Sequence, residues 1–313
     1  MRVPPNEPTD REFTPKVTLR QLQLFVVTAD SGSITSAAER LFLSQTAVSL
    51  ALGQLEKALG TMLFVRRRAH GMTLTSAGRT VLPMARHVLS STQILQDEAG
   101  GGDEVTGMLR IGCFASLGPQ LLPRLLVDFQ QRHARVRVDF QEGALDALEP
   151  SLETGSLDLV LAYDLGVSRD LHRRVIDQLQ PGVLISADHP LAARGGAVSL
   201  RDLADEPHLM LESSISQAHA ASVFDAVGVS PHTRFRTQNF ETLRSLSGRG
   251  LGWTLTMQRP ESPVSHEGYG VVVLELNDPE IRPVDVVALW SPHITLSRAA
   301  CAFLDMLGDH GQR

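Results

Sequence analysis

The 313-residue chain is short of cysteine and of aromatic side chains: two Cys, two Trp and two Tyr in all. Cys113 and Cys301 alone build no disulfide framework, and nothing in the sequence brings the two together. A redox sensor needs an exposed, low-pKa thiol, usually with a resolving partner, so each cysteine reads as a small buried apolar residue. No apolar run approaches the roughly 20 residues that span a bilayer, so no membrane contact is expected. The first 17 residues, MRVPPNEPTDREFTPKV, have no apolar h-region, and they carry four prolines with balanced charge. They read as a disordered arm rather than a signal peptide, and the chain as cytoplasmic. There is no GxSxG, no P-loop and no HExxH motif. The eleven histidines are scattered without ligand spacing. Gly248-Arg249-Gly250-Leu251-Gly252 precedes a strand and makes a poor dinucleotide loop. Neither an enzyme, a metal nor a cofactor is therefore expected.

What is present is a charge imbalance. Thr18 to Ser90 carries eight basic residues against three acidic ones, a net +5. Residues 1–17 balance, so 91–313 carries −11 and the whole chain nets −6. A basic head on an acidic body suggests a polyanion partner for the head, with chance clustering as the alternative.

The head reads as three short helices. Thr18-Leu19-Arg20-Gln21 fits a capping box, followed by the stripe Leu22, Phe25, Val26 and Ala29. After Asp30-Ser31-Gly32, Ser33 caps a second helix with Ile34, Ala37, Ala38 and Leu41 inward. Phe42-Leu43 leaves so short a connection that the third helix must cross the second steeply, as in a helix-turn-helix. That third helix is SQTAVSLALGQLEKALG, residues 44–60, capped by Ser44. Val48, Ala51, Leu55 and Leu59 fall on one side of its wheel, and Gln45, Thr46, Ser49 and Gly53 on the other, with Leu50 at the edge. A solvated face usually carries Glu and Lys; this one is short, neutral and rich in hydrogen-bonding groups. Residues 63–75, LFVRRRAHGMTLT, read as two short strands around a basic turn, a wing. A three-Arg run is usually a solvated loop, but beside such a helix Arg66, Arg67 and Arg68 become candidate phosphate contacts.

Residues 76–98 read as one long helix with a heptad seam of Val81, Ala85, Val88, Thr92 and Leu95. A second chain is the natural partner for it, and the head itself the alternative. Gly100-Gly101-Gly102 reads as a hinge within 99–106. From Met108 the pattern becomes α/β. Strands are expected at 109–114, 136–140, 157–163, 183–187, 208–212, 233–237, 252–257, 271–276 and 284–290, and a closing helix near 294–308.

SITSAAERLFLSQTAVSLALGQLEKALGTMLFVRRRAHGMTLTSAG resembles the DNA-binding head of LysR-type transcriptional regulators. The matching features are Ala37-Ala38 with Leu41, Ser44-Gln45, Ala47, Ser49, Leu55-Glu56, Leu59-Gly60, Leu63-Phe64, Arg66, Leu74-Thr75 and Ala77-Gly78. The resemblance continues through LRIGCFASLGPQLLPRLL, GSLDLVLAY, ADHPLAARGGAVSLRDLADEP and FETLRSLSGRGLGW. It implies a winged helix-turn-helix (18–75), a linker and dimerisation helix (76–98), and a two-lobe α/β effector domain (107–313) like a periplasmic binding protein. Lobe I is expected at 107–166 plus 291–313 and lobe II at 167–290. It also implies double-stranded DNA, a small-molecule effector, a homodimer or tetramer, and RNA polymerase as partners. Ser44, Gln45, Thr46, Ser49 and Leu50 would contact DNA in the major groove, and Arg66, Arg67 and Arg68 its backbone or minor groove. Two positions depart from the family: Pro is common where Thr46 stands and Arg where Leu50 stands. Leu50 then touches a thymine methyl or packs at the edge of the head.

The effector of such proteins lies between the lobes, near helix N-termini whose N–H groups suit carboxylates. By resemblance the first candidates are Ala115 and Ser116, with plain N-capping as the alternative for Ser116. Ser213, Ser214, His219, Thr237 and Asn239 follow lobe II strands and are the others. A lone His is more often structural, although His219 would titrate near neutrality. Ala144-Leu145 replaces a polar contact of some relatives, so their effectors are poor guides here. A protein that sequesters a solute without touching DNA is the alternative function.

Overall fold

A computed structural model describes residues 14–67, 71–99 and 104–310. Arg68, most of the N-terminal arm and the triple glycine lie outside the described residues, and so do the side chains of Arg66 and Arg67. The chain divides into two compact units after Leu95.

The first unit is a winged helix-turn-helix. Helix α1 (Leu19–Ser31) starts at the Thr18–Gln21 capping box, in which each side chain accepts from the other's backbone N–H, and it ends at Gly32. Helix α2 (Ile34–Arg40) is capped by Ser33, and α3 (Gln45–Leu59) by Ser44. Strands β1 (Phe64–Arg67) and β2 (Gly71–Leu74) pair antiparallel as the wing, and α4 (Ser76–Ala99) follows. The buried stripes sit slightly off the expected ones. In α1 the buried residues are Leu24, Phe25 and Thr28; in α3 they are Val48, Leu52 and Leu55, while Leu59 is exposed. A helix in a three-way junction is covered obliquely, so its buried arc follows its neighbours rather than its most apolar line.

Several of the residues that carry the resemblance turn out to build the joint between α3, wing and α4. Glu56 sits in the last turn of α3, where a negative charge opposes the helix dipole. Its Oε1 instead accepts from the N–H groups of Leu63 (2.7 Å) and Phe64 (3.2 Å). Thr75 Oγ1 donates to the Met62 carbonyl (2.7 Å) and accepts from Gly78 N–H (2.9 Å), capping α4. A Cβ on Gly78 would collide with the Leu63 carbonyl, so only glycine fits there.

The seam of α4 is split. Val81 and Ala85 pack into the head's own core with Leu82, as the alternative reading had it. Thr92 is half-buried, and Val88 and Leu95 are exposed together with Met84. Arg86 on α4 pairs with Asp30 at the end of α1.

The second unit holds two α/β lobes. A five-stranded mixed sheet has the order β4-β3-β5-β12-β6. Its strands are β3 (Gly107–Phe114), β4 (Val136–Gly143), β5 (Leu159–Tyr163), β6 (His172–Leu179) and β12 (Val284–Trp290). Helices α5 (Gly118–Arg132) and α6 (Leu145–Glu153) and the C-terminal helix α10 (Arg298–His310) cover it. Strands β7 (Gly182–Ser186), β10 (Thr254–Thr256) and β11 (Val271–Glu275) form a second sheet. Strands β8 (His208–Leu211) and β9 (Thr233–Thr237) form a parallel pair, tied to it by a bridge between His208 and Trp253. Helices α7 (Pro190–Arg194), α8 (Ser214–Val227) and α9 (Phe240–Gly248) complete this lobe.

Two expectations change here. Strand β6 was not foreseen, because HRRVIDQL has only Ile176 buried and shows no apolar alternation. It is an edge strand, held by main-chain pairing to β12. With β6 and β12 both in the first sheet, 172–179 and 284–290 belong to lobe I rather than lobe II. Cys301 is exposed on α10 rather than buried, whereas Cys113 is buried on β3 as read.

Candidate functional site

On the head, the outer face of α3 lines a concave surface. Gln45, Thr46, Ser49 and Leu50 border it together with Ile34, Gly53, Gln54 and Lys57. Gln45 and Thr46 are exposed, and Leu50 is 63% exposed, so Leu50 does not pack at the edge of the head. Ser44 is engaged as the N-cap, its hydroxyl accepting from Ala47 N–H at 3.1 Å. Gln54 and Lys57 were not among the expected contacts; they stand one and two turns beyond Leu50, at i+4 and i+7 on its side of α3.

The second site is a cleft between the lobes of the C-terminal unit. Its mouth encloses about 870 Å³ and is lined by Ala115, Ser116, Ser213 and Asn239, among others. Ser213 caps α8 and accepts from Ser216 N–H; Asn239 caps α9 and accepts from Thr242 N–H. Ser116 does not cap α5, whose N-cap is Leu117, without a side-chain bond. Ser116 hydrogen-bonds Tyr163 instead. Ser214 and Thr237 stand outside the lining, and the Thr237 hydroxyl accepts from Asn239 N–H at 3.2 Å.

Behind the mouth lies a smaller chamber of about 60 Å³ that holds Ser116 and His219. It also holds Tyr163, His208, Ser216 and Gln258, none of which the sequence reading singled out. They come from β5, β8, α8 and the segment after β10, and no local spacing links them. Burial pushes the Tyr163 hydroxyl up to about 12, so it stays protonated. Burial, then the charge of Arg236, pushes His208 down to about 4; burial also lowers His219. His208 Nδ1 meets Thr233 Oγ1 at 3.1 Å, and its ring lies 4.7 Å from that of Trp253. His219 Nε2 is buried and has no hydrogen-bond partner among the described residues. Arg244 and Arg259 belong to the mouth: Arg244 Nη2 donates to the Ser262 and Val264 carbonyls and its Nη1 pairs with Glu241, while Nε has no partner among the described residues, and Arg259 donates to the Gln180 carbonyl.

Cys113 lies at the end of β3 beside the cleft, with its thiol raised to about 12 by burial and by Glu142. Such a thiol is not ionised near neutrality. Among the described residues, no group of three His, Cys, Asp or Glu is placed to hold a metal, and no helix is long and apolar enough to cross a membrane.

Comparison with known proteins joins the two sites. Residues 19–79 match the family described as bacterial regulatory helix-turn-helix protein, lysR family, and residues 102–312 match the LysR substrate binding domain. The hydrogen peroxide-inducible genes activator of Pectobacterium carotovorum is 30% identical over 297 residues, 94% of this chain and 97% of that protein. The C-terminal domain of a probable LysR family regulator from Rhodococcus sp. RHA1 is 40% identical, with a TM-score of 0.63 over 65% of this chain and 99% of that one. HinK, a LysR family regulator from Pseudomonas aeruginosa, is 29% identical, with a TM-score of 0.63 over 95% of this chain and 99% of that one. A polar recognition-type helix with its wing, followed by a two-lobe domain with a lined cleft, and matched over nearly its full length, places the chain in the LysR family of DNA-binding transcriptional regulators with an effector-binding domain.

Proposed function

We propose that the head reads duplex DNA through the outer face of α3 and that a small molecule bound in the cleft between the lobes controls the outcome. The observation that carries the first part is the concave face bordered by Gln45, Thr46, Ser49 and Leu50, with Lys57 beside them. Gln45 suits a bidentate contact to adenine, and exposed Leu50 suits a thymine methyl. The wing arginines Arg66, Arg67 and Arg68 supply phosphate contacts in this reading. The exposed Met84, Val88 and Leu95 of α4 offer an apolar stripe to a second copy, while Val81 and Ala85 are committed to the head. A dimer then reads a pseudo-palindrome, with half-sites one helical turn apart or a multiple of it. Effector entry shifts the lobes, changes how the subunits sit, and alters DNA bending or contact with RNA polymerase. Tetramer formation, a cytoplasmic location and the absence of catalysis belong to the same reading.

The peroxide-linked relatives raise thiol oxidation as a second trigger. The thiols argue against it, since Cys113 is buried and held at about 12 and the Cys301 thiol is raised by partial burial and Asp305. A reversibly bound effector fits better.

The test is protection of the gene's own upstream DNA from cleavage, with salt titrated. The expected result is a pseudo-palindromic footprint that weakens steeply with salt. A folded, dimeric protein that protects nothing at low salt would leave the solute-sequestering alternative.

A further inference from the structure

The inner chamber differs in chemistry from the mouth in front of it. Among the described residues, no Asp, Glu, Lys or Arg lines it. Its walls are mostly apolar, with Phe114, Leu165, Met210, Ile215, Phe240 and Met257 among them. Several of its hydroxyls already have a partner: Ser116 lies with Tyr163, Ser216 accepts from Ser213 (2.7 Å), and Thr254 donates to the Leu255 carbonyl (3.4 Å). His219 Nε2 is buried and has no partner among the described residues. Such a group costs free energy until something bonds to it.

We infer that the chamber receives the hydroxyl end of a small uncharged ligand, a neutral alcohol, with His219 Nε2 as its hydrogen-bond partner, and that it does not receive a carboxylate. This rests on the cleft being the effector site. A hydroxyl both donates and accepts, so it satisfies either tautomer of the imidazole. A carboxylate entering the chamber loses its hydration and meets no cation among the described residues of the wall, a costly transfer; Arg259 and Arg236, which act on Tyr163 and His208, stand outside the lining. Burial holds both His219 and His208 toward the neutral form, so neither supplies the missing charge. At the helix N-termini expected to seat an anion, one first-turn amide each on α8 and α9 is already bonded to its capping side chain. Ser213 and Asn239 cap α8 and α9, and the Glu142 carboxylate lies so close to Gly118 at the start of α5 that a methyl there would collide with it. At about 60 Å³ the chamber is well below the roughly 150 Å³ of a cavity that admits benzene, so it takes only one end of the ligand. The remainder lies in the mouth, which shares Phe114, Ser116, Phe240 and Gln258 with it.

The full chain is titrated with n-butanol, benzyl alcohol and phenol, and in parallel with butyrate and benzoate, following tryptophan emission and the thermal midpoint. The alcohols are expected to saturate at millimolar concentrations or below, and the carboxylates to bind at least about tenfold more weakly. His219→Leu should weaken alcohol binding roughly five- to tenfold, while His219→Gln retains most of it. Without ligand, His219→Leu should melt at or above the parent, because it removes an unpaired buried nitrogen. Carboxylates binding as well as the alcohols, no alcohol binding at all, or unchanged alcohol affinity in His219→Leu would each overturn the inference. The DNA footprint, repeated with each compound, separates this from the regulator reading. Alcohols that bind without altering the footprint leave the ligand class standing and the effector role refuted; a carboxylate that alters it does the reverse.

Discussion

On the head, Gln45, Thr46 and Leu50 stand exposed on one face of one helix, within six residues of sequence. In the C-terminal unit, Tyr163, His208 and His219 are brought together from three elements and withdrawn from water. The first arrangement suits a partner that arrives with its own strong charge and needs only donors and acceptors at fixed spacing. The second suits a ligand that must be enclosed before a weak hydrogen bond discriminates. Charge follows the same division: +5 over residues 18–90 and −11 over residues 91–313. Solvated charge attracts at long range, whereas the chamber works by excluding charge from its wall.

The contrast can be broken first at Trp253. Its ring is 1% exposed, packs on His208 and Phe224, and donates Nε1–H to the Leu203 carbonyl at 3.1 Å. Trp253→Ala should cost the lobe on the order of 4 kcal/mol, visible as an early unfolding transition, while DNA binding by the head survives at low temperature. If the head is lost as well, the two units are not independent.

Acid should separate the units next. His208 is held at about 4 when folded, against about 6.5 when unfolded, so below pH 6.5 the unfolded state binds the extra proton. Its contribution is whole above pH 6.5 and is lost as pH falls from 6.5 to about 4, reaching on the order of 3 kcal/mol. Denaturant midpoints measured across that window should fall in the parent and flatten in His208→Asn; an equal slope in both would clear His208.

Glu56→Ala acts on the head alone. It strands the amides of Leu63 and Phe64 and should cost about 2 kcal/mol, with Glu56→Gln recovering part of it. Thermal melts of both variants decide this; a full loss in Glu56→Gln would show that the charge is essential.

The smallest expected effect is at the exposed face. Gln45→Ala should leave the melt unchanged and relax preference at a single base pair by about 1–2 kcal/mol, read by binding to a set of single-base variants of the footprinted site. Unaltered preference would show that α3 presents another face to DNA.

The sequence by itself determined the head. Its caps, its short turn and its outer polar face are all local, because a helix of period 3.6 maps spacing onto faces without help from the rest of the chain. It also indicated the alternation of strands and helices that makes the second unit α/β. Tertiary structure decided what depends on long-range pairing. Strand β6 exists because β12 supplies its hydrogen bonds, and its polar sequence carries no buried stripe of its own. The same holds for Ser116, which bonds Tyr163 across 47 residues rather than capping the helix beside it, and for the joint in which Glu56 serves two amides beyond its own helix. It holds most for the chamber. Its neutral wall and the unpaired His219 nitrogen come from segments more than 100 residues apart, and burial is a property of the fold that no spacing in the chain encodes.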